Sequence, residues 1–224
     1  MNTLKATPKS IRVFVALCDN ATQGIVKVGA RIGDGDKPDE NLYWGCDDGL
    51  KRYFGKSKKW KLISKSASPG PVLETLEFTH TQTDIRLKAE AYRGSCMKDC
   101  LSAFEACVRE GKEDLIAFIG HNGLMDFALP YEAASPARKA DVAVLCCMSE
   151  AWFKDRITQQ GGQPWLMTTQ LMYPGSFILH EGIEAWRTGG DLSATRSAAA
   201  AAYAKNQRIS QKAALGIFSR LETK

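Results

Sequence analysis

Three nearly unbroken apolar runs constrain this chain more than any other feature: IRVFVALC at 11–18, DLIAFIG at 114–120 and ADVAVLCC at 140–147. A strand with one wet face alternates apolar and polar residues. A strand covered on both faces reads as a continuous apolar run rich in β-branched residues, and these three do. PWLMTT at 164–169 is a fourth, shorter run of this kind.

The stretches between them change period. Residues 95–110 place Cys96, Cys100, Phe104, Cys107 and Val108 on one side of a helix. Residues 149–160 suit a helix closed by Gly161-Gly162. Residues 174–188 suit another, with Pro174 at its start and Gly189-Gly190 at its end. Helical patterns follow at 192–206 and over about 210–221. Buried strands alternating with helices imply βαβ crossovers and a parallel sheet. Earlier, 29–41 reads as loop, 42–55 falls in helical register, and Trp60 to Ile63 makes a short strand. Residues 72–79 and 84–92 alternate, as in VLETLEF and IRLKAEAY, and predict an antiparallel hairpin. The fold class expected is therefore α/β: a three-layer, mostly parallel sheet flanked by helices. It forms one domain over 1–224, with 72–92 as a small hairpin insertion.

Hydrophobic residues make up 44% of the chain, enough for a sizeable core, and the net charge is only +5. That charge does not by itself argue for nucleic acid. The first apolar run is too short for a membrane span, and Asp19-Asn20 follows where a signal peptide would need small residues. A cytoplasmic protein with no membrane association is expected. Seven cysteines, an odd number, argue against a disulfide framework in a reducing compartment. Cys96-x3-Cys100 has no matching Cys/His pair elsewhere, so it reads as a helix face and no metal is expected.

In parallel α/β sheets, functional groups gather beyond the C-terminal ends of the strands. Here those ends carry Cys18-Asp19-Asn20, then Gly120-His121-Asn122-Gly123, then Cys146-Cys147. A thiol is mostly protonated at neutral pH, and a neighbouring imidazole takes its proton or stabilises its thiolate. Main-chain N–H groups near Gly123 are candidates for holding an oxyanion, and Asp19 or Asn20 for orienting the imidazole. Adjacent residues on a strand point to opposite sides, so only one of Cys146 and Cys147 can face the histidine loop.

The motifs DLIAFIGHNG and DVAVLCCMSE resemble the clan CD cysteine peptidases: caspases, legumain, gingipains, separase and the CHAT domains. Their signature is an apolar strand ending in His-Gly and another ending in the nucleophilic Cys. The likeness covers about 112–207 and extends to the first strand. It implies a caspase-like fold, Cys147 as nucleophile and His121 as general base, no cofactor, and a peptide or protein substrate. Asp19 or Asn20 stands at the position that orients the histidine in legumain-like members. One position departs from the signature: Asn122 separates His121 from Gly123. The segments QGIV, LYWG, GHNGLMDF and TTQLMYPG also resemble landmarks of a bacterial family.

Charge alone offers Asp47 and Asp48 as substrate-binding groups that favour a basic residue. The alternatives are a catalytically inactive caspase-like binding module and an α/β protein that binds nucleic acid weakly. The second would use KRYFGKSKKWK at 51–61, where basic and aromatic residues interleave.

Overall fold

The computed structural model describes residues 8–222. Its strands are β1 (Lys9–Ala16), β2 (Trp60–Ala67), β3 (Val72–His80), β4 (Ile85–Tyr92), β5 (Leu115–Ile119), β6 (Asp141–Leu145) and β7 (Gln163–Leu166). Its helices are α1 (Leu50–Lys56), α2 (Met97–Glu110), α3 (Ser149–Gln159), α4 (Ser176–Arg187), α5 (Leu192–Gln207) and α6 (Gln211–Leu215). All seven strands form one sheet in the order β2-β3-β4-β1-β5-β6-β7. Five of them, β4 through β7 in that order, pair in parallel, while β2 and β3 are antiparallel additions at one edge.

The apolar runs are covered on both faces, as their lack of alternation predicts. Ile11, Val13 and Val15 of β1 join one core, and Phe14 and Ala16 join the other. The same parity holds in β5 (Leu115, Ala117 and Ile119 against Ile116 and Phe118) and in β6 (Ala143 and Leu145 against Val142 and Val144). Helices α1, α4 and α5 cover the first face, and α2 and α3 cover the second. The three-layer α/β architecture expected from the sequence is present.

The hairpin is no insertion. Its second strand, β4, pairs with β1 in register from Lys9↔Ile85 to Ala16↔Tyr92, so 72–92 belongs to the main sheet. Ala89, Glu90, Ala91 and Tyr92 are all buried, so the end of this strand is covered on both faces.

Two helices are shorter than their patterns. Over 42–55, only Leu50–Lys56 is helical. A Cβ on Gly45 would lie 2.0 Å from the Asp39 carbonyl oxygen, and one on Gly49 would lie 2.5 Å from Trp44 backbone. The loop thus folds back where only glycine fits. Over 210–221 the helix stops at Leu215, and Phe218 instead forms an antiparallel bridge with Thr168 beyond the end of β7.

Glu74 on β3 anchors the antiparallel edge. It takes Lys65 at 2.7 Å, Lys51 at 3.0 Å and the Trp44 indole N–H. Burial alone would raise its carboxyl, but Lys65, Trp44 and Lys51 outweigh burial and hold it below the ordinary value. A carboxylate whose folded-state pKa is depressed adds stability above its unfolded value and loses it as pH falls through the folded value. Glu74→Gln is therefore expected to be less stable than the native chain at pH 7, with the gap closing below about pH 4. Urea midpoints at pH 7 and at pH 3.5 check this. A gap that is equal at both values would exclude the ion-pair account.

Candidate functional site

His121 and Cys147 each lie two residues past a paired strand position, Ile119 and Leu145, which are register partners on neighbouring parallel strands. Strand alternation carries Cys147 toward the side of the sheet that bears α1, α4 and α5, while the turn after His121 packs on α2, where Gly123 meets Met97 and Leu101. The cysteines separate as alternation requires. Cys146 is fully buried in the core under α2 and α3. Cys147 is half-buried, and its Sγ meets the Met172 main chain on the other side.

The turn after β6 is held tightly. The Ser149 hydroxyl donates to the Val144 carbonyl at 2.7 Å, and the Thr168 hydroxyl donates to the Cys146 carbonyl. Met148 sits between with φ 51°, a left-handed conformation that costs a non-glycine residue about 1–3 kcal/mol. This strained turn sets Cys147 just ahead of the N-terminus of α3. The Met172 N–H donates to Cys147 Sγ at 3.4 Å, and the thiol donates to the Met172 carbonyl at 3.6 Å. Burial pushes the other thiols up: Cys18 to about 11, Cys107 to about 12, and Cys46, Cys100 and Cys146 also upward. Those five stay protonated at neutral pH.

His121 is only 8% exposed. Its Nε2 lies 2.9 Å from Asp126 Oδ2. A carboxylate only accepts, so in the neutral ring Nε2 carries the proton and Nδ1 keeps its lone pair, the form a general base needs. Asp126 also accepts from the Gly24 N–H at 2.9 Å, and a Cβ on Gly24 would lie 2.3 Å from Asp126 Oδ1. Gly24 is thus what lets the loop after β1 approach this carboxylate.

The residues expected to orient His121 do other work. Asp19 accepts from the Ala21 N–H and the Thr22 hydroxyl. The Asn20 side chain both donates to and accepts from the Val28 main chain at 2.9 Å. Both stabilise their own loop, and the carboxylate on the imidazole is Asp126. Sequence reasoning missed Asp126, although it stands only five residues beyond His121; the short 3-10 turn at Gly123–Met125 brings it back.

Asn122 has a defined task. It is wholly buried, and its side chain donates to the Cys147 carbonyl at 2.8 Å and accepts from the Leu124 N–H at 3.2 Å. It ties the histidine loop to the cysteine loop. Gly123 is required by packing, since a Cβ there would lie 2.7 Å from Met97 Cγ and 2.9 Å from Phe127 Cζ. Among the described residues, the N–H groups of Gly123 and Cys147 have no hydrogen-bond partner, and no hydrogen bond joins His121 to Cys147.

Asp47 is exposed and paired with Arg52 at 2.6 Å and Lys56 at 2.9 Å. Asp48 accepts from Asn206 at 3.0 Å. Both line a cavity of about 380 Å³ with Ser57 and His180. The basic stretch 51–61 is mostly neutralised within the fold: Lys51 pairs with Asp39 and Glu74, Arg52 and Lys56 with Asp47, and Lys59 with Glu184. Phe54 and Trp60 are buried. Among the described residues there is no cluster of three metal-ligating side chains, and no helix is long and apolar enough to cross a membrane. Searches against family models, curated proteins and solved structures found no match for this chain.

Proposed function

We propose that the protein is a cysteine endopeptidase of caspase-like type, with Cys147 as nucleophile and His121 as general base. The observation that carries the reading is the pair of equivalent positions beyond β5 and β6, with an imidazole whose Nε2 is already held by Asp126. In the first step Sγ of Cys147 attacks a peptide carbonyl carbon, and Nδ1 of His121 takes the thiol proton. The N–H groups of Cys147 and Gly123 are the candidate donors to the oxyanion. His121 then protonates the leaving amine, and water, activated by the same nitrogen, releases the acyl group from sulfur. Asp126 positions the ring and stabilises its cation. The separation of His121 and Cys147 would close when substrate binds, since catalytic hydrogen bonds are often long in an empty site.

The inactive binding module remains a second reading, favoured by the Met172 main chain as the partner of the Cys147 sulfur. A peptide library derived from a proteome separates the two. Cleavage by the native protein that falls to background in Cys147→Ala, with urea midpoints nearly equal, supports the peptidase. A library left uncut by the native protein, or cut equally by both, sinks it. Cys146→Ala is expected to retain cleavage and to lose about 1 kcal/mol of stability from a small buried deletion.

A further inference from the structure

A second set of side chains, far from His121 in the chain, has the connectivity of an acyl-transfer site. Ser57 follows the last residue of α1, and its Oγ lies 2.9 Å from Nε2 of His180 on α4. Nδ1 of His180 lies 2.8 Å from Glu181 Oε1. The hydrogen bond from His180 lowers the Glu181 carboxyl below its usual value, so it is ionised at neutral pH and can only accept. In the neutral ring the proton therefore sits on Nδ1, and Nε2 presents its lone pair to the serine hydroxyl. Ser57 Oγ also accepts from the Lys59 N–H at 3.2 Å, which fixes the oxygen while its proton points to the imidazole. The histidine ring is packed edge-on against Tyr53 and Phe54, with centroids 5.4 and 5.2 Å away, and is almost wholly buried. Its geometry is thus set by the core.

This trio opens to solvent. Ser57 and His180 line the cavity of about 380 Å³ that also contains Asp48 and Tyr53. Tyr53 is shared with a groove of about 670 Å³ between α4 and α5, lined by Phe177, Ala198, Ala201 and Ala202 together with the polar Glu181, Lys205 and Asn206. An apolar chain fits that alanine-floored groove, with its head group at Ser57. The Lys58 N–H, next after the serine, has no intramolecular partner among the described residues and is a candidate oxyanion donor.

We propose that Ser57, His180 and Glu181 form a second catalytic site, a serine esterase acting on carboxylic esters with an apolar acyl chain. Ser57 Oγ bonds to the ester carbonyl carbon as its proton passes to Nε2 of His180. The carbon–alkoxy bond breaks, the alkoxide takes that proton and leaves as the alcohol, and the acyl group stays on Ser57. Water gives a proton to Nε2 and its oxygen to the acyl carbon. The acid leaves and the proton returns to Ser57 Oγ. Ester and water become acid and alcohol, and no other reactant is consumed. This site shares no residue with the peptidase proposed above, so either assignment can fail without the other.

The test uses the full chain with its thiols blocked by iodoacetamide, so that Cys147 contributes nothing. Hydrolysis of p-nitrophenyl octanoate is expected to fall about a hundredfold or more in Ser57→Ala and in His180→Gln, with circular dichroism unchanged. Independently of any variant, an alkyl fluorophosphonate is expected to phosphonylate Ser57 of the native protein, located by peptide mapping. No adduct on Ser57, or hydrolysis that persists in Ser57→Ala, overturns the proposal and leaves Ser57 as a helix-end cap bonded to a core histidine.

Discussion

Arg156→Ala is expected to lower the unfolding free energy by about 3–5 kcal/mol, because it leaves a buried carboxylate without its cation. Glu105 on α2 is 1% exposed and accepts from Arg156 Nε at 2.9 Å, from Arg156 Nη2 at 2.6 Å and from Gln160 Nε2 at 2.9 Å. The same guanidinium donates to the Leu129 carbonyl at 2.9 Å and stacks on Tyr131, so one side chain joins α2, α3 and the segment that follows the histidine loop. Replacing Glu105 and Arg156 together by residues of similar volume and no charge is expected to recover most of the loss, since the desolvation of both ions disappears with them. Urea denaturation of the single and double variants decides. A single-variant loss under about 1 kcal/mol would mean the pair behaves as a surface ion pair.

Asn122 supplies the second large effect. Asn122→Ala removes the donor to the Cys147 carbonyl and the acceptor for the Leu124 N–H at a site with no solvent. Leaving such groups unpaired is expected to cost about 1–3 kcal/mol. Asn122→Asp is expected to be worse at pH 7, because the new carboxylate still accepts from Leu124 yet faces the Cys147 carbonyl oxygen with no proton to give. Acid should partly restore it, since the protonated acid can donate again. Thermal melts of both variants at pH 5 and pH 7.5 measure this. Equal stability of Asp and Ala variants at the higher pH would show that the Cys147 contact contributes nothing.

The buried strands were legible because their physics is local: residues covered on both faces lose alternation, and β1, β5 and β6 fall within two or three residues of their apolar runs. Cys146 and Cys147 parted as strand parity requires. The place of the hairpin was not legible, because alternation is the same in an isolated ribbon as at the edge of a larger sheet. Ala89 and Ala91 continue the Ile85 and Leu87 face, and Tyr92, of the opposite parity, was the one hint that the end of β4 is covered on both sides. Asp19 and Asn20 were the natural guess for orienting His121, since β1 is next to β5 in the sheet. Their short side chains instead found main-chain partners within their own loop, as Asp and Asn commonly do. The contact between Ser57 and His180 spans 123 positions and joins a helix end to a helix interior, so no spacing rule could have suggested it.

The position of β1 in the middle of the sheet has a consequence for how the chain is made. Its neighbours, β4 and β5, are contributed by residues 78 and 104 positions further on, as the Arg12 to Glu90 and Ser10 to Asp114 bonds mark. At a synthesis rate of roughly 5–20 residues per second, about 5–20 s pass between the emergence of Ser10 and that of Asp114. During that interval the first apolar segment lacks its β5 partner, and a nascent chain holds an apolar strand open on that edge. Closure must await contacts of high sequence separation, so folding is late and slow compared with a helical domain of the same size.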